Sequence, residues 1–286
     1  MFAIPEIRPG QSIELLKALH ILTRDGKLNQ DSRRKLKQVY HLYQFIEPLL
    51  QEIGENVQLV DHGAGKSYLG FILYDLFFKQ RDDASHIYGI ETREALVQSS
   101  IALAQQLGFA GMSFLNLSVA DSIASPLLPE KIDVVTALHA CDTATDDAIR
   151  FGLQKQARFM VLVPCCQAEV AAALRQGKAQ ALARGALAEV WRHPIHTREF
   201  GSHLTNVLRC LQLEAHGYQV TVTELVGWEH SMKNELIVAN YKNLPRRRAA
   251  ERLRELLIMF GLEELESRLF IRPFDRDVRK VLTSDA

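Results

Sequence analysis

The chain has 286 residues, a formal net charge of +0 and 47% hydrophobic residues. This length allows one substantial hydrophobic core with appendages, or two small domains. The balanced charge argues against a dedicated nucleic-acid coat or an acidic scaffold, while local basic patches remain open. Four cysteines, two of them adjacent, are too few and too irregular for a disulfide framework, and they favour a reducing compartment.

The sequence shows no pattern for membrane insertion or secretion. No stretch approaches the roughly 18 uninterrupted apolar residues of a membrane-spanning helix. The first ten residues lack the basic segment and apolar run of a signal peptide. We therefore expect a cytoplasmic protein without a membrane partner, and the sequence gives no prediction of its oligomeric state.

Residues 1–55 form the first of three zones and have a helical pattern. Two runs with an apolar stripe are separated by the polar residues 24–29. The second run, residues 31–50, opens on Asp31 and Ser32, which suit a helix N-cap. Its first turns carry Arg33, Arg34, Lys35 and Lys37, ahead of an apolar and aromatic face.

Residues 56–243 form the second zone, in which short apolar runs alternate with helix-compatible stretches. The predicted strands are residues 57–61, 86–91, 112–117, 132–138 and 159–164, and the predicted helices are residues 67–79, 93–107, 145–153, 169–187 and 204–216. Such alternation predicts βαβ units and a parallel sheet covered on both faces. Two final strands, residues 219–226 and 235–241, suggest an antiparallel hairpin. We predict an α/β, Rossmann-like seven-stranded sheet, followed by a helical appendage over residues 244–286.

A glycine loop follows the first predicted strand, in the run Asp61-His62-Gly63-Ala64-Gly65-Lys66-Ser67-Tyr68. The glycines allow the backbone to approach a ligand closely and to adopt conformations that a Cβ forbids. An acidic residue at the end of the strand suits a cationic or amine-bearing ligand better than a pyrophosphate.

Four interpretations of this loop compete. An ATP P-loop needs glycine at position 60, which is valine, and a dinucleotide fingerprint needs a third glycine where Tyr68 stands. A tight turn without a ligand is a third alternative. The acidic-x-Gly-x-Gly form made by Asp61, Gly63 and Gly65 is the usual first motif of class I methyltransferases, and we favour it.

The ends of later strands supply further candidates for a nucleoside site. Glu91 ends the second predicted strand, where a carboxylate can accept hydrogen bonds from both ribose hydroxyls. Asp121 follows the third, where its carboxylate would take an adenine amino group or would instead cap a helix. Residues 138–140 end the fourth strand, beside the expected position of a transferable methyl group.

Three motifs together resemble one methyltransferase-domain family: residues 61–69, the run Leu138-His139-Ala140-Cys141-Asp142-Thr143-Ala144-Thr145-Asp146, and the run Pro164-Cys165-Cys166-Gln167. This family includes bacterial proteins of unassigned substrate and is similar to tRNA 2′-O-methyltransferases of the Trm13 type. The resemblance covers roughly residues 31–241. Two positions depart from those tRNA enzymes, because Asp142 stands where glycine is usual and Gln167 where histidine is usual.

The resemblance implies the class I methyltransferase fold over residues 56–243 and S-adenosylmethionine as the cofactor. It also implies that the helical region of residues 1–55 covers the cofactor pocket. The expected cofactor-binding residues are Asp61, Gly63, Gly65, Lys66, Glu91, Asp121 and His139.

The candidate catalytic residues are His139, Cys141, Asp142, Cys165 and Cys166. His139 would act as a base or orient the substrate, or would merely end its strand. Asp142 would orient the substrate with Asp146, or else Asp142 or Thr143 would cap the following helix. A cysteine would attack a pyrimidine base, or the three cysteines with His139 would bind zinc. Adjacent cysteines rarely share one zinc ion, so we predict no metal.

The predicted substrate is RNA, and the candidate contacts are Arg34, Lys35, Tyr68, His230, Lys233 and Asn234. Basic side chains would contact phosphates and Tyr68 would stack on a base. Solvated helix faces and ordinary aromatic packing are the alternatives for these residues. A small-molecule or protein substrate, or a non-catalytic module that binds S-adenosylmethionine, remains a competing function.

Overall fold

The protein is described here from a computed structural model. The structure describes residues 6–138, 140, 142–165, 167–176, 186–190, 192–225, 235–244 and 247–271. Within these ranges the backbone forms a seven-stranded sheet flanked by helices.

The strands are β1 (Gln58–His62), β2 (His86–Glu91), β3 (Met112–Asn116), β4 (Val134–Ala137), β5 (Phe159–Leu162), β6 (Tyr218–Glu224) and β7 (Glu235–Tyr241). Their order across the sheet is β3-β2-β1-β4-β5-β7-β6. Strands β1 to β5 run parallel, and β7 is antiparallel to both β5 and β6. The predicted α/β, Rossmann-like seven-stranded fold with helical N- and C-terminal regions is confirmed.

The α-helices of the described ranges are α1 (Ile13–Ala18), α2 (Gln30–Ile53), α3 (Tyr68–Leu76), α4 (Glu94–Leu107), α5 (Val119–Ala124), α6 (Thr143–Gln154), α7 (Glu169–Arg175), α8 (Pro194–Ala215), α9 (Arg247–Met259) and α10 (Glu266–Leu269). Helices α1 to α4 pack on one face of the sheet, while α5, α6 and α8 pack on the other. A third apolar cluster joins α7, α8, α9 and α10.

The N-terminal helices share the core of the sheet. Leu15 and Leu16 of α1, and Leu42 and Ile46 of α2, are fully or almost fully buried in one cluster with Leu59 of β1. Helix α2 begins where the Asn29 side chain accepts a hydrogen bond from the backbone N–H of Ser32. The division of the chain at residues 55 and 243 stays a prediction.

Helix α8 begins ten residues earlier than predicted, at Pro194 instead of residue 204. The added segment contains Pro194 and Gly201, two residue types with low helix propensity. Proline is favourable in the first helical turn. A Cβ on Gly201 would lie 2.7 Å from the backbone of Ala171, so the glycine lets α7 and α8 approach closely. Tertiary packing therefore outweighs the low helix propensity of glycine.

Two further boundaries differ from the prediction. Helix α5 was not predicted, and it begins where Ser118 caps the backbone N–H of Asp121. The predicted helix of residues 169–187 is helical to Arg175, and residues 186–187 lie in a 3-10 helix (Ala186–Val190). Residues 177–185 and the hairpin connection of residues 226–234 lie outside the described ranges. Across the part of the chain that is described, no helix is both long and apolar enough to span a membrane.

Candidate functional site

The loop after β1 has the backbone that its glycines predict. Gly63 and Gly65 have φ angles of +65° and +59°, a region that favours glycine. Ala64 donates its backbone N–H to the Ile90 carbonyl at 3.0 Å, which ties the loop to the end of β2. Ser67 is left-handed and leads into α3. The loop therefore presents its backbone at the carboxyl ends of β1 and β2.

Asp61 is a buried carboxylate beneath this loop. Thr136 of β4 donates its hydroxyl to Asp61 Oδ1 at 2.8 Å. Burial raises the pKa of Asp61 to about 7, while the hydrogen bonds from Thr136 and from the Gly70 backbone oppose that shift. Because Asp61 still lines a cavity, a cationic amine in that cavity would favour its ionised form.

Glu91 at the end of β2 accepts several hydrogen bonds. The Gly65 backbone N–H lies 2.9 Å from Oε2, and the Arg93 backbone N–H lies 3.0 Å from Oε1. The Arg93 guanidinium adds two bonds of 3.0 Å, one to each oxygen. These contacts, the Arg93 side chain first, lower the pKa of Glu91 to about 2. The carboxylate is thus ionised, and a ribose diol would reach it by displacing the exposed Arg93 side chain.

Two cavities meet at this loop and share Gly63 and Arg93. The first, of about 270 Å³, lies between α2 and the loop, and is lined by Ile21, Lys35, Gln38, Val39, Asp61, Gly63, Ala64, Gly65, Lys66, Tyr68, Leu69, Arg93 and Leu138. The second, of about 820 Å³, lies between the ends of β2 and β3 and helix α6. Its lining includes Ile90, Glu91, Leu117, Val119, Ile123 and Arg150. Cavities of this size and mixed lining suit small-molecule cofactors.

The residues present fit S-adenosylmethionine. The buried Asp61 carboxylate suits the amine of its methionine part, and Glu91 suits the ribose hydroxyls. The apolar side chains of Ile90, Leu117 and Val119 in the second cavity suit a flat adenine ring. When bound, this cofactor supplies a methyl group on a sulfonium.

Asp121 lies in the first turn of α5 rather than among the described residues that line either cavity. Its carboxylate shares a hydrogen bond with the Ser118 hydroxyl at 2.5 Å, while Ser118 caps the Asp121 backbone N–H at 3.2 Å. Ser118, not Asp121, is thus the N-cap residue, and its hydrogen bond to the Asp121 backbone stabilises the start of α5. Contact between Asp121 and adenine stays a prediction.

The loop after β4 ends at Asp142, the residue before α6. Its carboxylate does not cap α6 but accepts the Ala168 backbone N–H at 3.1 Å. Asp146 is buried in an ion pair with Arg209, and both of its oxygens lie 2.8 Å from the guanidinium. Asp142 therefore occupies the N-cap position of α6 without a side-chain capping bond, and Asp146 is engaged within the protein. A direct role of Asp142 in catalysis stays a prediction.

The other candidate catalytic residues are described only in part. Cys165 is half-buried, and its carbonyl accepts the Asp142 backbone N–H at 3.0 Å. His139, Cys141 and Cys166 lie outside the described ranges, so their roles as base, nucleophile or zinc ligand stay predictions. Among the residues that are described, no group of three potential metal ligands is found.

The candidate substrate residues fall into two groups. Lys35 and Tyr68 line the first cavity, and Arg34 is exposed beside Lys35 on α2. Lys66, predicted to bind the cofactor, is exposed and lines the same cavity. His230, Lys233 and Asn234 lie outside the described ranges.

Sequence reasoning missed three residues that shape the site. Thr136 donates to Asp61, Arg93 engages Glu91, and Arg209 pairs with Asp146. Arg93 follows Glu91 closely in sequence, so a strand-end Glu-x-Arg pattern could have indicated that pair. The other two pairs join residues 75 and 63 positions apart, and no local pattern signals them.

Comparison with known proteins identifies the chemistry. Residues 34–173 match the sequence model of a family described as a methyltransferase domain. A search of curated proteins gave no match to the chain. The match spans the β1 loop, β2 to β5 and the motifs after β4 and β5.

Several solved structures are similar at low identity. Magnesium protoporphyrin IX methyltransferase (ChlM) from Synechocystis PCC 6803 with bound SAH is 15% identical, with a TM-score of 0.46 over 81% of this chain and 96% of that chain. A putative O-methyltransferase from Klebsiella pneumoniae is 13% identical, with a TM-score of 0.47 over 83% of this chain and 93% of that chain. An rRNA methylase from Streptococcus thermophilus is 11% identical, with a TM-score of 0.41 over 69% of this chain and 94% of that chain. Likenesses of this degree do not indicate a substrate.

The matched domain, the strand order and the residues around the β1 loop agree with one another. The chain is an S-adenosylmethionine-dependent methyltransferase, with its methyltransferase domain matched over residues 34–173 and its sheet in the seven-stranded, Rossmann-like order.

Proposed function

We propose that this methyltransferase acts on RNA. The observation that carries the proposal is the charge around the first cavity. Lys35 of α2, which forms an exposed ion pair with Asp31 at 2.8 Å, and Lys66 of the β1 loop both line it, whereas the carboxylate among its lining residues, Asp61, is buried. Arg34 and Lys37 extend the basic surface along the exposed side of α2. These four side chains, Arg34, Lys35, Lys37 and Lys66, form a basic rim around the first cavity. A polyanion would be attracted to this basic rim.

The rim also offers a surface for a base. Tyr68 is half-buried at the start of α3 and lines the first cavity beside Lys66. An aromatic ring next to cationic side chains suits an unstacked nucleotide, because the base stacks on the ring while the phosphates contact the cations. The resemblance of the motifs after β4 and β5 to tRNA 2′-O-methyltransferases points to the same substrate class.

The protein contributes positioning. Asp61 and Glu91 would hold the two ends of the cofactor, and the basic rim would hold the acceptor next to it. Alignment of the acceptor atom with the methyl group supplies much of the barrier reduction. His139, which follows β4 in the sequence, would receive the proton that the acceptor hydroxyl loses.

A small-molecule acceptor is a second candidate, and the apolar lining of the first cavity favours it. Ile21, Val39 and Leu138 line this cavity with the basic residues. A compact molecule with one apolar and one anionic end would satisfy both kinds of lining.

The experiment follows a labelled methyl group from S-adenosylmethionine into RNA, protein and small-molecule fractions of a cell extract. We expect label in RNA. The double variant Arg34→Gln/Lys37→Gln should raise the apparent KM for RNA about tenfold, and the wild-type KM should rise with salt. Lys131→Gln is the matched control, because Lys131 is an exposed lysine just before β4, at the opposite end of the strands. This substitution should change neither the KM for RNA nor its dependence on salt.

Label in small molecules alone would overturn the RNA proposal in favour of the second candidate. If RNA is labelled but its KM changes neither with salt nor in the α2 variants, RNA remains the substrate and the basic rim is not its binding surface.

A further inference from the structure

Asp142 has a strained backbone. Its φ and ψ angles are +51° and −116°, a conformation that side chains of L-residues rarely adopt. A conformation of this kind is destabilising and persists only where the surroundings hold it.

Three contacts hold Asp142 from three elements. Its backbone N–H donates to the Cys165 carbonyl at 3.0 Å, and its carboxylate accepts the Ala168 backbone N–H at 3.1 Å. Its carbonyl accepts Arg209 Nη2 at 2.8 Å. Asp142 thus joins the segment after β4 to the segment after β5 and to α8.

Arg209 is the anchor of this arrangement, and it is 2% exposed. Its Nε and Nη2 bind the two oxygens of Asp146, and its Nη1 lies 3.2 Å from Asn206 Oδ1. The planar fork of a guanidinium fits a carboxylate in this way and still has a donor for a carbonyl. A lysine ammonium would keep the charge in the buried pair but would not reproduce this geometry.

The network extends toward the β5 and β7 side of the sheet. Gln167 donates to Asn206 Oδ1 at 3.1 Å, and Asn206 donates to Glu235 Oε2 at 2.7 Å. Arg209 therefore connects the chain segments that follow β4 and β5 through buried polar side chains. These segments carry the two motifs that resemble those of the tRNA 2′-O-methyltransferases.

We propose that Arg209 is a positioning residue for methyl transfer. It touches neither cofactor nor acceptor; it holds the strained Asp142 backbone, and with it the end of the β4 segment beside which the acceptor is expected to bind. The inference rests on the proposed acceptor position but not on RNA as the acceptor. Loss of the guanidinium geometry should lower kcat and leave cofactor affinity unchanged.

The test is a double-mutant cycle of Arg209→Lys and Asp142→Gly, since glycine adopts the positive φ without strain. In the wild-type background, Arg209→Lys should lower kcat at least tenfold, with the Kd for S-adenosylmethionine changed less than twofold. In the Asp142→Gly background the same substitution should lower kcat less than threefold, because the glycine needs less support. A purely structural arginine would give the same loss in both backgrounds, which would overturn the proposal.

Arg268→Lys is the control for general destabilisation. Arg268 Nη1 also contacts Asp146, at 3.1 Å. We expect a Tm decrease like that of Arg209→Lys but near-normal kcat, and an equal loss of kcat would count against the proposal.

Amide hydrogen exchange of the peptide spanning residues 140–146 provides a readout that does not need the acceptor. Exchange should be faster in Arg209→Lys and should return toward the rate of the Asp142→Gly protein in the double variant. Unchanged exchange in Arg209→Lys would refute the positioning role whatever the acceptor is. Altered exchange in an enzyme that labels no RNA would refute only the RNA proposal.

Discussion

The buried carboxylate of Asp61 should make the stability of this protein fall as the pH rises. Its pKa is about 7 in the folded protein, against an ordinary value of 3.8. Between these values the folded chain keeps a proton that the unfolded chain has released. Because the folded state binds more protons in this window, the free energy of unfolding decreases with increasing pH.

The size of the effect follows from the shift. Each pKa unit corresponds to about 1.4 kcal/mol, so a shift of about three units is worth about 4 kcal/mol over the whole window. Between pH 5 and pH 8 the loss from this group should be about 2–3 kcal/mol, and it should level off above pH 7.

Asp61→Asn removes this titration and keeps an acceptor for the Thr136 hydroxyl. Urea unfolding of both proteins at pH 5, 6, 7 and 8 gives their free energies of unfolding. The quantity to follow is the difference between them, the wild-type value minus that of the variant. We expect this difference to fall by about 2–3 kcal/mol from pH 5 to pH 8. A difference that stays flat, or that rises with pH, would refute the reasoning.

Thr136→Val is the matched control, because it removes the hydroxyl that stabilises the ionised Asp61. The fall in stability should then extend to higher pH than in the wild-type protein. If Thr136→Val leaves the pH dependence unchanged, the hydrogen bond at 2.8 Å does not act on the ionisation.

Three further predictions concern the loop and the helices. Glu91→Gln should weaken S-adenosylmethionine binding about 10- to 100-fold in calorimetry, since a charge-assisted acceptor is lost, while Glu94→Gln on the exposed first turn of α4 should not. Gly63→Ala should destabilise the fold by about 1–3 kcal/mol in urea unfolding and weaken cofactor binding, because alanine is strained at a φ of +65°. Gly201→Ala should lower the free energy of unfolding by about 1–3 kcal/mol, because the new methyl group meets the backbone of Ala171. The cofactor affinity of the folded protein should not change. An unchanged Tm would contradict the close approach of α7 and α8.

The sequence predicted the sheet well because its signals are local. Each parallel strand is a short apolar run between helical stretches, and the hairpin strands β6 and β7 follow in order at the end. The conformations of Gly63 and Gly65 were equally readable, since glycine marks a positive φ. The ATP and dinucleotide patterns break at residues 60 and 68, and the resemblance carried by the motifs after the first, fourth and fifth predicted strands then implied the S-adenosylmethionine cofactor.

The features that escaped prediction depend on distant partners. Asp142 has a positive φ without being glycine, and its hydrogen bonds join it to Cys165, Ala168 and Arg209, which lie far along the chain. The beginning of α8 depends on the fit of Gly201 against Ala171. Asp61 looked like a simple ligand residue, yet its ionisation is set by burial and by Thr136 on a neighbouring strand.

The shared core of α1, α2 and the sheet has a consequence for how ligands reach the enzyme. Because α2 covers the first cavity while burying Leu42 and Ile46 in the main core, lifting it would expose that core to water. We therefore expect the cofactor to enter and its spent form to leave through the wider cavity beside α5 and α6. The acceptor would approach over the basic rim of the first cavity, on the other side of the β1 loop. A long substrate could therefore stay in place while the cofactor is exchanged. Successive methyl transfers would then not require release of the substrate.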